Sequence, residues 1–518
     1  MPCLTAIDVL GVQRFVFFSN RLRDVLAGSY LVHWSTSEEG ALREVDTAKE
    51  ILLAGGGNAL VETRSRADAL QFAARYTRIL HDRAPGLRVA VVHKEFESGN
   101  LAEALNEIQI ELARAKAQPI PSVPLLGLSV TASCRETGLP ATGFDRREST
   151  VPLSKLILRR REQENQAKSH WHAYLDCWDD FEFPLDFDDL GRTVADTSFM
   201  GVVHIDGNGV GAKIREWHKK LEDAHSPDEV VRQECREWSH AIDQLGREAL
   251  QAVVQRLCER IKDDEDDTGE KVKKVTGRPA RLNFKLKRTR NSNRWFLPLR
   301  PILLGGDDLT FVCDGRIALD LAQTALEVFA SSNIPHLGNV TACAGVAIVK
   351  VHWPFARAYE LAAKLCVSAK RMVRAKKQES CALDWHIGTC RPGEAVEELR
   401  RRNYQTYGGY KLTCRPYMLD SGKNEEETWK WLSGTLLDDR VTGLRQGAWS
   451  RRRNKVKALS GLAREGPDSV SAALEAWRVL DKKLQLPPLI ANVGFSAGRT
   501  PLIDALELLD LHLVLEGT

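Results

Sequence analysis

The sequence predicts an α+β protein built on two copies of one structural unit, followed by a helical C-terminal region. Three observations predict this class. Apolar strand-like segments alternate with amphipathic helical segments, two apolar hairpins contain glycine-rich turns, and the order of elements is the same in both halves of the chain. A strand, a hairpin, a helix, a strand and a helix indicate an antiparallel-rich sheet with helices on one face.

The first copy starts with a short apolar strand that ends near Asp8 and a glycine turn. A hairpin follows, because apolar residues flank the tight turn Gly-Gly-Gly-Asn at 55–58. In chain order, the expected strand, hairpin, helix, strand and helix lie at 4–11, 51–61, 66–81, 87–93 and 100–117.

The second copy repeats this order after a connecting region. Its hairpin differs at the turn, which is Gly-Gly-Asp-Asp at 305–308. In chain order, the expected strand, hairpin, helix, strand and helix lie at 199–205, 299–312, 316–330, 340–350 and 354–374.

Four parts are therefore predicted along the chain. They are a first unit at 1–130, a connecting region at 131–195, a second unit at 196–395 and a helical domain at 396–518. An insertion at about 263–294 carries an acidic run and then ten Lys or Arg residues, which is typical of a solvated or disordered loop. The expected core residues of the helical domain are Trp429, Leu432, Leu436, Leu444, Trp449, Leu459, Leu462, Leu474, Trp477 and Leu480.

Composition excludes several protein classes. The 518 residues carry a net charge of +3 and are 43% hydrophobic, which excludes global disorder and a histone-like polycation. Eleven cysteines never form Cys-x-x-Cys, so neither a zinc ribbon nor a thioredoxin motif is expected. Their odd number and irregular spacing fit a reducing cytoplasm. No apolar run is long enough for a membrane span.

Three acids are predicted to meet where two adjacent strands of the second copy end. Asp206 ends the first strand, and Asp307 and Asp308 occupy the hairpin turn. Gathered carboxylates repel one another unless cations neutralise them, and oxygen-only ligands suit Mg²⁺ or Mn²⁺. We therefore predict that these acids are catalytic and hold two metal ions for phosphoryl transfer. An ordinary hairpin turn remains the alternative for the Asp-Asp pair.

Glycines and one lysine are predicted to contact phosphates. Backbone amides of a glycine-rich turn before a helix can cradle phosphate groups, although such a turn alone is weak evidence. Lys364 and Lys370 lie on the last helix of the copy, and we favour Lys370 as the phosphate contact over a solvated lysine. The predicted nucleotide-binding residues are Gly207, Asn208, Gly209, Gly211, Gly305, Gly306 and Lys370.

Several stretches together resemble the large, polymerase- and cyclase-like subunit of type III CRISPR effector complexes. The resemblance covers about residues 1–420 and is most specific around Gly-Gly-Asp-Asp. The stretches include Ile7-Asp8-x-x-Gly11-x-Gln13-x-Phe15-x-Phe17, Leu299-Arg300-Pro301-Ile302-Leu303-x-Gly305-Gly306-Asp307-Asp308-Leu309-Thr310-Phe311-Val312, Ala344-Gly345-Val346-Ala347-Ile348, Ala369-Lys370 and Asp384-x-His386.

The resemblance implies two ferredoxin-like palm domains of the polymerase and nucleotide-cyclase type. The first would be inactive, since Gly57 and Asn58 replace the hairpin acids. The second would join ATP into cyclic or linear oligoadenylate, releasing pyrophosphate, in antiviral defence. Guide RNA, target RNA and other effector-complex subunits are the implied partners. Many relatives carry Asp-Gly-Asp where this chain has Asp206-Gly207-Asn208, and this sequence begins directly with the first palm, so no N-terminal HD nuclease is expected.

Two other interpretations stay open at this point. The chain could be a non-catalytic RNA- or nucleotide-binding scaffold, with phosphate contacts from the basic segment 271–294 and the arginine clusters 400–402 and 451–453. It could also be a free-standing defence enzyme with the same pair of units.

Overall fold

The structure is a computed structural model. It describes residues 1–45, 49–118, 127–145, 150–175, 178–190, 199–266, 268–289, 292–420 and 428–515. Within these ranges the chain is a mixed α+β protein, as predicted.

The first unit is a four-stranded antiparallel sheet with the order β2-β3-β1-β4. Its strands are β1 (Cys3–Leu10), β2 (Lys49–Gly55), β3 (Asn58–Thr63) and β4 (Arg88–Glu95). Its helices are α1 (Val12–Val16), α2 (Leu22–Thr36), α3 (Ala41–Glu44), α4 (Arg66–Arg83) and α5 (Leu101–Ala117).

The connecting region contains short elements that pack on both units. Its helices are α6 (Lys155–Glu162) and α7 (Glu164–His172), and its short strands are β5 (Gly143–Phe144), β6 (Pro152–Leu153) and β7 (Phe181–Glu182).

The second unit is a six-stranded sheet with the order β13-β14-β8-β15-β16-β17, antiparallel except between β15 and β16. Its strands are β8 (Phe199–Gly207), β13 (Leu299–Gly305), β14 (Asp308–Asp314), β15 (Ala342–Lys350), β16 (Ala382–Ile387) and β17 (Tyr417–Met418). The short strands of the intervening segment are β9 (Ile261–Glu265), β10 (Lys271–Val275), β11 (Phe284–Lys285) and β12 (Trp295–Phe296). The helices are α8 (Val210–Asp223), α9 (Asp228–Cys258), α10 (Ala318–Ala330) and α11 (Phe355–Lys376).

The two hairpins repeat each other residue by residue. At the turn, Gly55 pairs with Asn58 in the first unit and Gly305 pairs with Asp308 in the second. Both hairpins also carry a break in register at the same step, between 51 and 53 and between 301 and 303. This shared irregularity supports a true repeat rather than a chance likeness in the order of elements.

Helices cover both faces of the second sheet, so the expectation of helices on one face was wrong. Alternate residues of β15 enter different cores: Val346 packs in one core with α10, and Ala347 packs in another with α11. Because both faces are buried, the central strands are continuous apolar runs without the polar alternation of a half-exposed strand.

The charged insertion is folded, so its interpretation as a disordered loop was wrong. β9, β10 and β11 form a three-stranded antiparallel sheet. The acidic run lies on β9 and the basic run begins on β10, so that Lys273 pairs with Asp263 at 2.9 Å and with Asp180 at 3.0 Å. Val275 and Phe284 are buried beneath. Acidic side chains of β9 and basic side chains of β10 therefore neutralise each other across the sheet.

The long helix α9 joins the two hairpins. It was not assigned from the sequence, and its length is about 46 Å at 1.5 Å per residue. The Cys235 thiol donates to the Leu52 carbonyl in the first hairpin at 3.6 Å. A Cβ atom at Gly246 would lie 2.2 Å from the Gly306 carbonyl oxygen in the second, so glycine permits this contact. One helix thus contacts both hairpins.

The C-terminal region is helical, with α12 (Val396–Asn403), α13 (Arg453–Glu465), α14 (Pro467–Leu480) and α15 (Leu502–Leu509). Most of its expected core residues are buried, but Leu480 is 84% exposed at the end of α14, and that core assignment was wrong. Leu462 and Trp477 are only partly buried. Among the described residues, no helix has the length and apolar character needed to cross a bilayer.

Candidate active site

Three acids meet at the ends of β8 and β14. Asp206 and Asp308 are direct partners across these antiparallel strands, so their side chains leave the same face of the sheet. Asp307 precedes Asp308 in the turn, and its carbonyl accepts a hydrogen bond from the Gly207 amide at 3.1 Å. The hairpin therefore brings together the three carboxylates that the sequence singles out.

Glycine is required at two places around these acids. A Cβ atom at Gly207 would lie 2.6 Å from Asp307 Oδ2, so the carboxylate occupies the space that a side chain would fill. Gly306 has φ +72°, in the left-handed region, and a Cβ atom there would lie 2.8 Å from Ile242 Cγ2 on α9. The turn can keep this conformation against the helix because it has no side chain at 306.

The surroundings of Asp307 and Asp308 raise the pKa of both carboxyl groups. Burial, followed by the negative charge of Asp206, raises the pKa of Asp307 and the pKa of Asp308 to about 7. The Asp308 side chain is 42% exposed, but its Oδ1 atom is enclosed and has no hydrogen-bond partner among the described residues. An orphaned carboxylate oxygen beside two further acids fits a cation site.

Lys370 contacts this group and Lys364 does not. The Lys370 Nζ atom lies 2.7 Å from Asp206 Oδ2 and donates to the Gly207 carbonyl at 2.6 Å. Lys364 instead pairs with Glu360 at 2.8 Å, one turn away on the same helix. The choice of Lys370 from the sequence agrees with this arrangement.

His204 belongs to the site and was missed by sequence reasoning. Its Nδ1 atom lies 3.0 Å from Thr310 Oγ1 and 3.3 Å from the orphaned Asp308 Oδ1, the latter without hydrogen-bond geometry. Burial lowers the pKa of His204 to about 4, so the ring is neutral beside the acids. Its position two residues before Asp206 on a strand was the available signal, because such residues share a face.

The remaining predicted residues divide between a turn and a helix. The Asn208 amide donates to Thr341 Oγ1 at 3.0 Å and to the Ser380 carbonyl at 3.4 Å, which ties the end of β8 to neighbouring segments. Gly209 has φ +70° and precedes α8, while Gly211 lies inside the first turn of that helix. The helix N-terminus, with its unpaired amides, therefore begins directly beside the acids.

A cavity of about 690 Å³ lies between the two units, and of the three acids Asp307 is the one that lines it. In the first unit, Lys116 Nζ lies 2.5 Å from Asp8 Oδ2, which repeats the pairing of Lys370 with Asp206. The volume falls in the range of small-molecule pockets. Its lining includes Asp8, Gly56, Lys116, Gly211, Gly305 and Asp307.

Comparisons with known proteins give a clear result for the fold. No protein-family description and no curated protein matches the sequence. A crystal structure of a Csm1–Csm4 cassette in complex with cA3 matches with a TM-score of 0.51 and 14% identity, over 99% of this chain and 70% of that chain. The chain resembles Csm1 in fold.

A second Csm1–Csm4 structure supports the same fold. A Csm1–Csm4 cassette in complex with pppApApA matches with a TM-score of 0.50 and 13% identity, over 99% of this chain and 69% of that one. A Csm1–Csm4 subcomplex of the type III-A CRISPR-Csm interference complex is also similar, at 13% identity over 98% of this chain and 70% of that one, but its TM-score of 0.42 adds no weight. The predicted resemblance to the large subunit of type III complexes is therefore confirmed at the level of the fold.

Proposed function

We propose that this chain is a nucleotidyltransferase that joins ATP into cyclic or linear oligoadenylate with release of pyrophosphate. The observation that carries the proposal is the in-register pairing of Asp206 with Asp308, beside Lys370 and beside Asp307, which lines a cavity between two repeated units. The units are, in this proposal, palm domains of the polymerase and cyclase type. The second is active, and the first is degenerate because Gly57 and Asn58 occupy its turn.

The three acids would hold Mg²⁺ or Mn²⁺. Their donor atoms are all oxygens, and the pKa of Asp307 and of Asp308, raised to about 7 by burial and by Asp206, means that a cation would replace protons or relieve repulsion there. When bound, two such ions supply the charge that activates an attacking hydroxyl and stabilises the departing pyrophosphate.

The chain's own groups would orient the triphosphate. Lys370 neutralises Asp206 in the structure and lies where its ammonium group can turn to a phosphate oxygen. The start of α8 after Gly209 offers backbone amides to the same phosphates. Donor ATP would therefore lie between the hairpin turn of the second unit and α8.

The acceptor nucleotide would occupy the part of the cavity that the first unit lines. Asp8 and Lys116 lie on that side. The acceptor's 3′-hydroxyl would attack the donor α-phosphate. A new phosphorus–oxygen bond forms, the bond to pyrophosphate breaks, and the hydroxyl proton is released.

The similar structures support this proposal through their ligands and partner. The matched Csm1–Csm4 cassettes were crystallised with cA3 and with pppApApA, which are a cyclic and a linear oligoadenylate. By analogy, we propose that this chain also binds a partner subunit within an RNA-guided complex. Guide-binding subunits and repeat arrays beside its gene would support that assembly, and their absence would favour a free-standing enzyme.

A pyrophosphate-release assay with ATP and Mn²⁺ tests the proposal. The wild-type chain should release pyrophosphate, and the double substitution Asp307→Ala, Asp308→Ala should abolish it. A matched control replaces another consecutive pair of acids, Asp263 and Asp264, by alanine. These residues lie on the exposed strand β9 and are not part of the site. Equal rates for the wild type and the Asp307, Asp308 double variant would refute the proposal.

The arginine clusters do not support the alternative of a non-catalytic RNA-binding scaffold. Arg400 pairs with Asp384, and Arg402 donates to Glu394 at 2.9 Å, so these cations are engaged within the chain. Arg453 likewise pairs with Asp510.

A further inference from the structure

A second set of metal-binding groups shares Asp206 with the three acids. One ligand atom each from His204, Asp206 and Cys366 lie within 4.8 Å of one another. Unlike the acids at the hairpin turn, these side chains offer nitrogen, oxygen and sulfur.

The fold places these groups together through two periodicities. His204 and Asp206 are two residues apart on β8 and share its face. Cys366 and Lys370 are four residues apart on α11, so Cys366 lies one turn below the lysine that contacts Asp206. The helix can approach the sheet closely because residue 345 is a glycine. A Cβ atom at Gly345 would lie 1.9 Å from the Ala362 carbonyl oxygen.

The chemistry of the donors selects a particular class of cation. Magnesium and calcium take oxygen ligands, whereas a thiolate together with an imidazole suits zinc or cobalt. Cys343 adds a second sulfur nearby, since it is the direct strand partner of Asp206 and packs against Cys366. The pair of sulfur atoms lies on the same side of the sheet as the acids.

We propose that His204, Asp206 and Cys366 form a binding site for a thiophilic divalent cation such as Zn²⁺ or Co²⁺. Binding exchanges the thiol proton of Cys366, which now donates to the Cys343 carbonyl at 3.1 Å, for a sulfur–metal bond. Lys370 engages Asp206 through Oδ2, so Oδ1 can take the cation.

The distances are compatible with such a site after small side-chain movements. Zinc bonds of about 2.0–2.3 Å separate the ligand atoms of a tetrahedral site by roughly 3.5 Å. Closing from at most 4.8 Å is within the reach of rotamer adjustment. Cys366 is 1% exposed, and Asp206 is 42% exposed, so a cation reaches the site past Asp206.

The site has a consequence for the proposed reaction. Asp206 is shared with the proposed magnesium site, so a bound Zn²⁺ should inhibit pyrophosphate release. This part of the inference rests on the proposed function, whereas binding itself does not.

Cobalt titration of the metal-free full-length chain tests binding directly. Under reducing conditions, Co²⁺ should produce a thiolate-to-cobalt charge-transfer band in the near ultraviolet with one ion per chain, and Zn²⁺ should remove it. Cys366→Ser should abolish the band, and Cys258→Ser, which replaces another buried cysteine on α9, should keep it.

A second variant guards against misfolding of the first. His204→Asn keeps the thiol but removes a proposed ligand, and it should weaken Co²⁺ binding by about 10-fold or more, because loss even of a group that only orients a ligand costs about that much. Absence of the band in the wild type, or its full retention in Cys366→Ser, would overturn the inference. Binding without any ATP turnover would instead count against the proposed function alone.

Discussion

Gly56 in the first hairpin turn lies directly against Gly305 in the second. A Cβ atom at Gly56 would be 3.0 Å from the Gly305 carbonyl oxygen, and one at Gly305 would be 3.2 Å from the Gly56 Cα atom. This contact gives a physical reason for the glycines of the first turn, although that turn has no aspartates. The first hairpin is a surface against which the second hairpin packs.

Alanine at Gly56 should therefore destabilise the chain by more than backbone strain alone. Gly56 has φ +59°, and Gly393 has φ +74° with no atom near its added Cβ. Both substitutions carry a backbone cost of about 1 kcal/mol, but only Gly56→Ala must also separate the turns. Urea denaturation should show a larger loss of stability for Gly56→Ala than for Gly393→Ala. Equal losses would show that the contact between the turns is unimportant.

Binding of Mn²⁺ should strengthen as pH rises towards about 7. Burial and the charge of Asp206 raise the pKa of Asp307 and the pKa of Asp308 to about 7, so both bind protons more tightly in the folded chain than in the unfolded one. The metal-free chain should then lose stability as pH rises from about 4 to about 7, and the cation should restore it above that range.

Thermal unfolding with and without Mn²⁺ measures this effect. The stabilisation by Mn²⁺ should be larger at about pH 8 than at about pH 5.5. The Asp307→Asn, Asp308→Asn variant should lose most of this pH dependence. If stabilisation of that variant by Mn²⁺ kept its full pH dependence, the cation would bind elsewhere.

Lys370→Gln should impair turnover much more than Lys364→Gln. Lys370 contacts Asp206 and Gly207, whereas Lys364 pairs with Glu360 outside the site. Loss of a hydrogen bond to a charged group costs about 1.5 kcal/mol or more, which corresponds to about 10-fold in kcat/KM for ATP. Steady-state pyrophosphate release checks both variants, and a similar loss in the two would contradict the role given to Lys370.

Local patterns in the sequence were sufficient to predict that the three acids and Lys370 lie close together. Asp206 and Asp308 could be placed together because a strand that pairs beside a hairpin must bring its end to the turn. Lys364 and Lys370 share the last helix of the repeat, and the resemblance to related cyclases favoured Lys370.

Features that depend on distant parts of the chain could not be predicted. His204 was missed because its position two residues before Asp206 indicates a shared face of the strand but does not show that the buried ring reaches the acids. The insertion was taken for a loop because the pairing of Asp263 with Lys273 across two strands is invisible in a charge run. The hydrogen bond from the Asn208 amide to Thr341, more than a hundred residues away, also has no sign in the sequence, and the nucleotide contact of Asn208 stays a prediction.

Mass analysis of the products from ATP tests the central claim most directly. The wild-type chain with Mn²⁺ should yield products whose masses are built from AMP units, with one pyrophosphate for each bond formed. The Asp307→Ala, Asp308→Ala variant should leave ATP unchanged. Products limited to ADP and phosphate, or oligoadenylate formed equally by that variant, would contradict the assignment of nucleotidyl transfer to these carboxylates.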